Sequence, residues 1–277
     1  MTENFTVAVK KKRAFRFKRE HLCIPYGVFL ALFVIFPLAL IVYYAFTAKT
    51  GEFTFNNLVW FFSTWSVMKN LLTSIAIGVI TTIVCLLLAY PVAYILSKMP
   101  VNKQTILLLL FIMPMWINFM LRALAMKELL NIFGMMGKYN YLNVVIGMVY
   151  DYLPFMVLPI YTVLIKIDKS YEEAALDLGA SKARVFLSVT LPLSLPGILS
   201  GITMVFLPSM TCYVISDTFG YGNVTIIGKL IDQWFAGSGS DWHYGSIIAL
   251  VMLVIMFIST LLSGGFKSEN NSRGTAL

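Results

Sequence analysis

An all-α integral membrane protein of six transmembrane helices is what three features of the sequence predict. The chain is 59% hydrophobic and only 12% charged, with a mean hydropathy of +0.82, whereas soluble domains are about 45–50% apolar and about 25% charged. Apolar runs long enough to cross the membrane recur six times, a span of about 30 Å needing about 20 residues at about 1.5 Å each. Lys and Arg fall unevenly between the loops that join those runs.

The runs cover residues 22–46, 71–96, 106–126, 144–165, 191–215 and 245–266. The polar head at 1–21 precedes an apolar run too long for a signal-peptide core, so an uncleaved first span is expected. The third run carries Arg122 near its end. Six spans put both termini on one side. That side holds Lys10, Lys11, Lys12, Arg13, Arg16, Lys18, Arg19, Lys98, Lys103, Lys166, Lys169, Lys182, Arg184, Lys267 and Arg273, against Lys49, Lys69, Arg122, Lys127, Lys138 and Lys229 opposite. Fifteen against six makes the first side cytoplasmic. The net charge of +8 is then mostly topology, the basic head suits anionic lipid, and no nucleic-acid partner is expected. The organisation is one integral membrane domain, 22–266, flanked by a basic cytoplasmic tail at 1–21 and a cytoplasmic tail at 267–277, with one substantial cytoplasmic loop at about 166–190.

Pro37, Pro91, Pro114, Pro154, Pro159, Pro192, Pro196 and Pro208 lie inside the runs. Each removes a backbone donor, and the freed carbonyls must face neighbouring helices or a wet path. Gly197 and Gly201 form a GxxxG pattern, which predicts a close helix interface for which another subunit is a candidate partner. Cys23, Cys85 and Cys212 lie in or beside apolar runs without metal-ligand spacing, and His21 and His243 stand alone. No metal site is expected.

The cytoplasmic loop holds the most specific signal. Ser170-x-x-Glu173 reads as a capping box that starts a helix. Tyr171, Ala174, Ala175 and Leu178 recur at helical spacing to make one apolar face, flanked by Glu172, Glu173 and Asp177. Gly179 suits the left-handed residue that ends such a helix. A second helical piece at 181–189 then leads into the span interrupted by Pro192 and Pro196. A short helix with small and apolar residues on one face and acids beside it fits a groove on a soluble partner, the acids pairing with its Arg or Lys. An acidic flank argues against a helix lying on the bilayer.

Glu173-Ala174-Ala175, three residues, Gly179, nine residues, Val189, one residue, then Leu191-Pro192 resembles the EAA loop of the permeases of binding-protein-dependent ABC importers. Val189 is the one departure, standing where that pattern usually has Ile. Six spans with the loop between the fourth and fifth are likewise similar to type I ABC importer permeases. The resemblance implies a coupling helix seated in an ATPase cleft, with Glu172, Glu173, Ala174, Ala175, Asp177, Leu178, Gly179, Leu191 and Pro192 as its coupling residues. It also implies a homologous second permease, two copies of an ABC ATPase and an extracytoplasmic solute-binding protein as partners, in a bacterial inner membrane. Residues 177–182, 191–197, 153–157 and 214–217 further resemble the first permease subunit of spermidine/putrescine importers. A same-family permease for an amino acid, sulfate or iron is the alternative, and a non-transport membrane subunit a more distant one.

The chain carries no P-loop. The stretch around Gly228-Lys229 has Asn223 where Gly is needed and Leu230 where Ser or Thr is needed. ATP and Mg are therefore expected on the partner ATPase, with no cofactor and no catalytic residue here. Charges within spans are costly, about 2.5–3.5 kcal/mol each, which makes them candidates for the substrate path. Asp151 and Arg122 either pair with each other or face that path, and Asp217, expected to close the fifth span outside, is placed to attract a cation. Trp116, Asn118 and Tyr150 lie close to these charges in sequence, and aromatic rings hold alkylammonium groups. Asp217, Asp232 and Asp241 against Lys229 give the last outer loop an acidic balance.

Overall fold

The computed structural model describes residues 23–237 and 241–262. The expected tails at 1–21 and 267–277, and the end of the sixth run, lie outside them. Eleven helices make up the described residues: α1 (Pro25–Ala45), α2 (Asn56–Ser63), α3 (Trp65–Lys98), α4 (Val101–Ile112), α5 (Phe119–Ile132) and α6 (Asn140–Leu164). They continue as α7 (Lys169–Asp177), α8 (Lys182–Thr211), α9 (Tyr213–Gly220), α10 (Ile227–Ala236) and α11 (Trp242–Leu262).

Five helices, α1, α3, α6, α8 and α11, are long and apolar enough to cross a membrane alone. The third predicted span is not a straight helix, because α4 and α5 meet at a 96° bend. Pro114 lies in a single 3-10 turn, Met113–Trp116, and Ile117 and Asn118 take extended backbone angles. The groups freed by the break are satisfied locally, as apolar surroundings require. The Asn118 side chain accepts the Met120 N–H at 2.9 Å, and Arg122 Nη1 donates to the Pro114 carbonyl at 3.2 Å.

Helix directions show that the bent pair counts as one span. Thr81 lies beside Met148, Cys85 beside the Val149 carbonyl, and Gln104, just past α3, accepts from the Tyr161 hydroxyl at 3.3 Å. Thus α3 and α6 run parallel, and the chain between them must return across the membrane once. Helix α8 is antiparallel to both, with Tyr90 against Ser194 and Gly197 against Pro159. At the far end His243, at the start of α11, reaches the Tyr44 carbonyl near the end of α1, so α1 and α11 are antiparallel. Six crossings result among the described residues.

The core is built where α3, α6 and α8 meet, around Cys85, Ala89, Ala93, Met156, Ile160 and Val205. Small residues let these backbones approach. A Cβ on Gly197 would sit 2.8 Å from the Pro159 carbonyl oxygen, and one on Gly201 2.6 Å from Met156 Sδ. The GxxxG pattern therefore packs within this chain, against α6, and another subunit is not what occupies it. A second cluster joins the end of α1 to α2, α10 and α11 through Phe61, Met210, Ile227 and Ile247. Apart from Ala45, α1 buries no residue and lies at the outside of the bundle.

Most of the prolines do not break their helices. Pro91, Pro154, Pro159, Pro196 and Pro208 all lie inside continuous helix. Pro37 and Pro192 each follow a five-residue π-turn, Ala31–Ile35 and Phe186–Thr190, whose wider winding relieves the contact between the ring and the preceding carbonyl. For that reason the expected second piece at 181–189 is continuous with the fifth span. The span ends earlier than expected, at Thr211, where Cys212 leaves helical geometry. Asp217 consequently does not close it, and lies instead on the separate helix α9.

Candidate functional site

Two places gather the predicted residues. At one end of the bundle stands α7, whose start differs from the capping box. The side chain of Asp168 accepts the Ser170 N–H at 2.9 Å, so the cap lies two residues earlier and Ser170 and Glu173 are already inside the helix. That bond holds the Asp168 carboxyl below its usual value. The other end follows the expectation. Gly179 has φ of +80°, its N–H reaches the Leu176 carbonyl at 2.8 Å, and Ala180 N–H reaches the Ala175 carbonyl at 3.1 Å. These two bonds form a Schellman stop.

The apolar face of α7 has no cover among the described residues. Leu178 is 89% exposed, Tyr171 and Ala174 are exposed, and Ala175 is half-buried. Among the acids, Glu173 and Asp177 are exposed. Glu172 is already engaged inside the chain, which corrects its expected role as a partner-facing acid. It forms an ion pair with Lys98 at the end of α3 and accepts from Thr190 Oγ1 at 3.0 Å. Partial burial pushes the Glu172 carboxyl up, but the bonds from Lys98 and Thr190 outweigh it and hold the group below the ordinary glutamate value. Leu191 is half-buried and Pro192 exposed, directly after the π-turn that carries Thr190. Sequence reasoning missed Lys98, Thr190 and Asp168. Nothing local flags Lys98, which meets Glu172 across 74 residues, whereas Asp168 has an N-cap residue type that a closer reading would notice.

The second place is the α4–α5 break. Asp151, 2% exposed on α6, accepts from Arg122 Nε at 2.6 Å, with Arg122 Nη2 on the same oxygen. The paired reading of these two charges is the observed one. Tyr150 presents its ring to the Arg122 guanidinium, 5.9 Å from the centroid. Asp151 and Arg122 line a pocket of about 270 Å³ with Met115, Ile117, Phe119, Tyr152 and Phe155. Trp116 is 78% exposed and outside that lining, while Asn118 serves as the α5 cap.

Asp217 belongs to neither place. It pairs with Lys229 at 2.6 Å at the opposite end of the bundle from α7. Asp241, too, is held by Lys49 at 2.9 Å. Burial pushes its carboxyl up, but Lys49 and the His243 N–H more than offset this and keep it low. With the pairing to Lys49 included, the acidic balance expected of the last outer loop falls to three carboxylates against two ammonium groups.

Residues 87–268 match the family described as binding-protein-dependent transport system inner membrane component. The chain is similar to the spermidine/putrescine transport system permease protein PotB of Escherichia coli (strain K12), 32% identical over 254 residues that cover 84% of this chain and 92% of that one. It is also similar to the PotB of Haemophilus influenzae, 36% identical over 198 residues, 66% of this chain and 69% of that one. Among solved structures, a chain of a bacterial alginate ABC transporter, in complex with its alginate pentasaccharide-bound periplasmic protein, shares the fold. Its TM-score is 0.71 at 12% identity, over 92% of this chain and 94% of that one. The matched residues contain α6, α7 and α8 entire, the three helices that hold the EAA sequence and the Asp151 carboxylate, and the chain belongs to the binding-protein-dependent inner membrane components, the permeases of ABC importers.

Proposed function

We propose that this chain is a permease subunit of an ATP-driven polyamine importer, forming the path for spermidine or putrescine with a second, homologous permease. Two copies of an ATPase bind on the α7 side and a solute-binding protein delivers the substrate on the other. The α7 side is cytoplasmic and both termini lie there, in keeping with the Lys/Arg distribution. The chain itself contributes no ATP chemistry.

The observation that carries the coupling reading is the uncovered α7 face, with Leu178 89% exposed beside Tyr171 and Ala174. Small and apolar residues on a short, firmly stopped helix suit a groove. When the ATPase pair closes, α7 moves as a lever, and the contacts of Glu172 with Lys98 and Thr190 pass that movement to the second and fifth spans. The polyamine reading rests on the likeness to PotB over most of both chains. A cytoplasm-negative potential adds about 2.3 kcal/mol per charge per 100 mV for an entering polycation. Asp217, Asp151, Tyr150, Trp116 and Asn118 are assigned to the path, with Asp217 acting at the outer approach and Asn118 by holding the α5 turn.

The test is uptake of labelled spermidine by proteoliposomes holding the assembled importer. ATP-dependent uptake that unlabelled putrescine suppresses, and that arginine, sulfate and ferric iron do not, is the expected result. Suppression by one of the latter three alone would reassign the substrate while leaving the permease role intact.

A further inference from the structure

The Asp151 carboxylate is divided unequally. Arg122 Nε and Nη2 both bond Oδ1, and Nη1 is taken by the Pro114 carbonyl, so each guanidinium nitrogen has a partner. Asp151 Oδ2 has none among the described residues, although the residue is 2% exposed. A buried carboxylate oxygen without a donor is costly to keep, the more so within a membrane span. The open valence, on a residue that lines the pocket and on an oxygen that is itself closed to solvent, is an acceptor, which excludes an anionic ligand and calls for an N–H or O–H donor that a small side-chain movement would admit. The other walls, Met115, Ile117, Phe119, Tyr152 and Phe155, are apolar or aromatic, suited to methylene groups and, at the ring faces, to an ammonium.

We propose that Asp151 Oδ2 is the point in this subunit at which an ammonium group of the substrate rests during passage, and that Arg122 is a resident cation that keeps the stay short. The inference builds on the polyamine reading above. Passage requires a site favourable enough to enter and weak enough to leave. A lone buried carboxylate would hold a polycation too tightly. With Oδ1 committed to Arg122, the remaining oxygen offers a hydrogen-bond acceptor of reduced negative potential, at the wall of a pocket of about 270 Å³ that admits a slender alkyl chain more readily than a sugar ring.

The deciding variant is D151N/R122Q in the assembled importer, because it removes both charges together and leaves neither one buried alone. If the pair is only structural, this variant transports as the wild type does. On the present proposal it inserts and retains ATP hydrolysis, but spermidine uptake falls about tenfold or more. The single variant R122Q gives a second readout: freed from its partner, Asp151 binds spermidine with a lower KM but a lower turnover. Unchanged KM and rate in D151N/R122Q would overturn the proposal and leave the polyamine reading standing. A wild-type importer that moves no spermidine would remove both.

Discussion

Lys98, the last residue of α3, is paired with Glu172 on α7, tying the coupling helix to the second span. Thr190, in the π-turn that opens into the fifth span, holds the other carboxylate oxygen. A partly exposed pair of this kind contributes only about 0.2–1 kcal/mol to stability. Its importance is mechanical, since a single side chain links α7 to two spans. Lys98→Glu is expected to leave membrane insertion and melting nearly unchanged while lowering uptake at equal ATP hydrolysis. Restoring the attraction with K98E/E172K should recover the ratio of transport to hydrolysis. A double variant as uncoupled as the single one would remove this contact from the lever.

Because the folded-state Glu172 carboxyl is held below its ordinary value, it stabilises the fold above the unfolded-state pKa of about 4.3 and loses that contribution as pH falls through the lower folded value. The melting temperature of the wild type relative to E172Q should accordingly stay constant from about pH 7 to about pH 5 and the gap should close below about pH 4. A gap that widens on acidification would have the wrong sign for a carboxylate held by Lys98.

The α6–α8 contact yields a graded prediction. A methyl on Gly197 meets backbone, the Pro159 carbonyl oxygen at 2.8 Å and Ile160 Cα at 3.1 Å, whereas one on Gly201 meets the Met156 thioether. Backbone cannot step aside as a methionine side chain can. G197A should cost about 1–3 kcal/mol and G201A less, read as melting in detergent. The reverse order would mean that Met156, fully buried, is the stiffer neighbour.

Much of this architecture is legible in the chain because bilayer thickness demands long apolar runs, and five of the six predicted spans match helices to within a few residues except where α3 runs outward to Trp65 and where α8 begins as early as Lys182 and stops at Thr211. The bend in the third span was not legible: Pro114 looks no different in sequence from Pro91 or Pro154, which continuous helices absorb. What separates them is Asn118, which caps a new helix four residues later, and Arg122, which reaches back to the freed carbonyl. The Gly179 stop was readable because an αL turn selects glycine locally. Contacts between distant segments, Lys98 with Glu172 and Lys49 with Asp241, follow from packing and leave no trace in spacing. The Asp151 site was half legible. A charge inside a span marks it, but the division of its two oxygens depends on where the α4–α5 bend delivers Arg122.

Ala174→Arg probes the docking face of α7 most directly. The residue is exposed and touches no tie to the spans, so the variant should insert and melt like the wild type. Copurification of the ATPase from detergent-solubilised membranes is the measurement. The ATPase should be lost from the A174R complex, and ATP-driven spermidine uptake with it. An A174R chain that retains the ATPase and transports normally would refute α7 as the element through which this permease is driven.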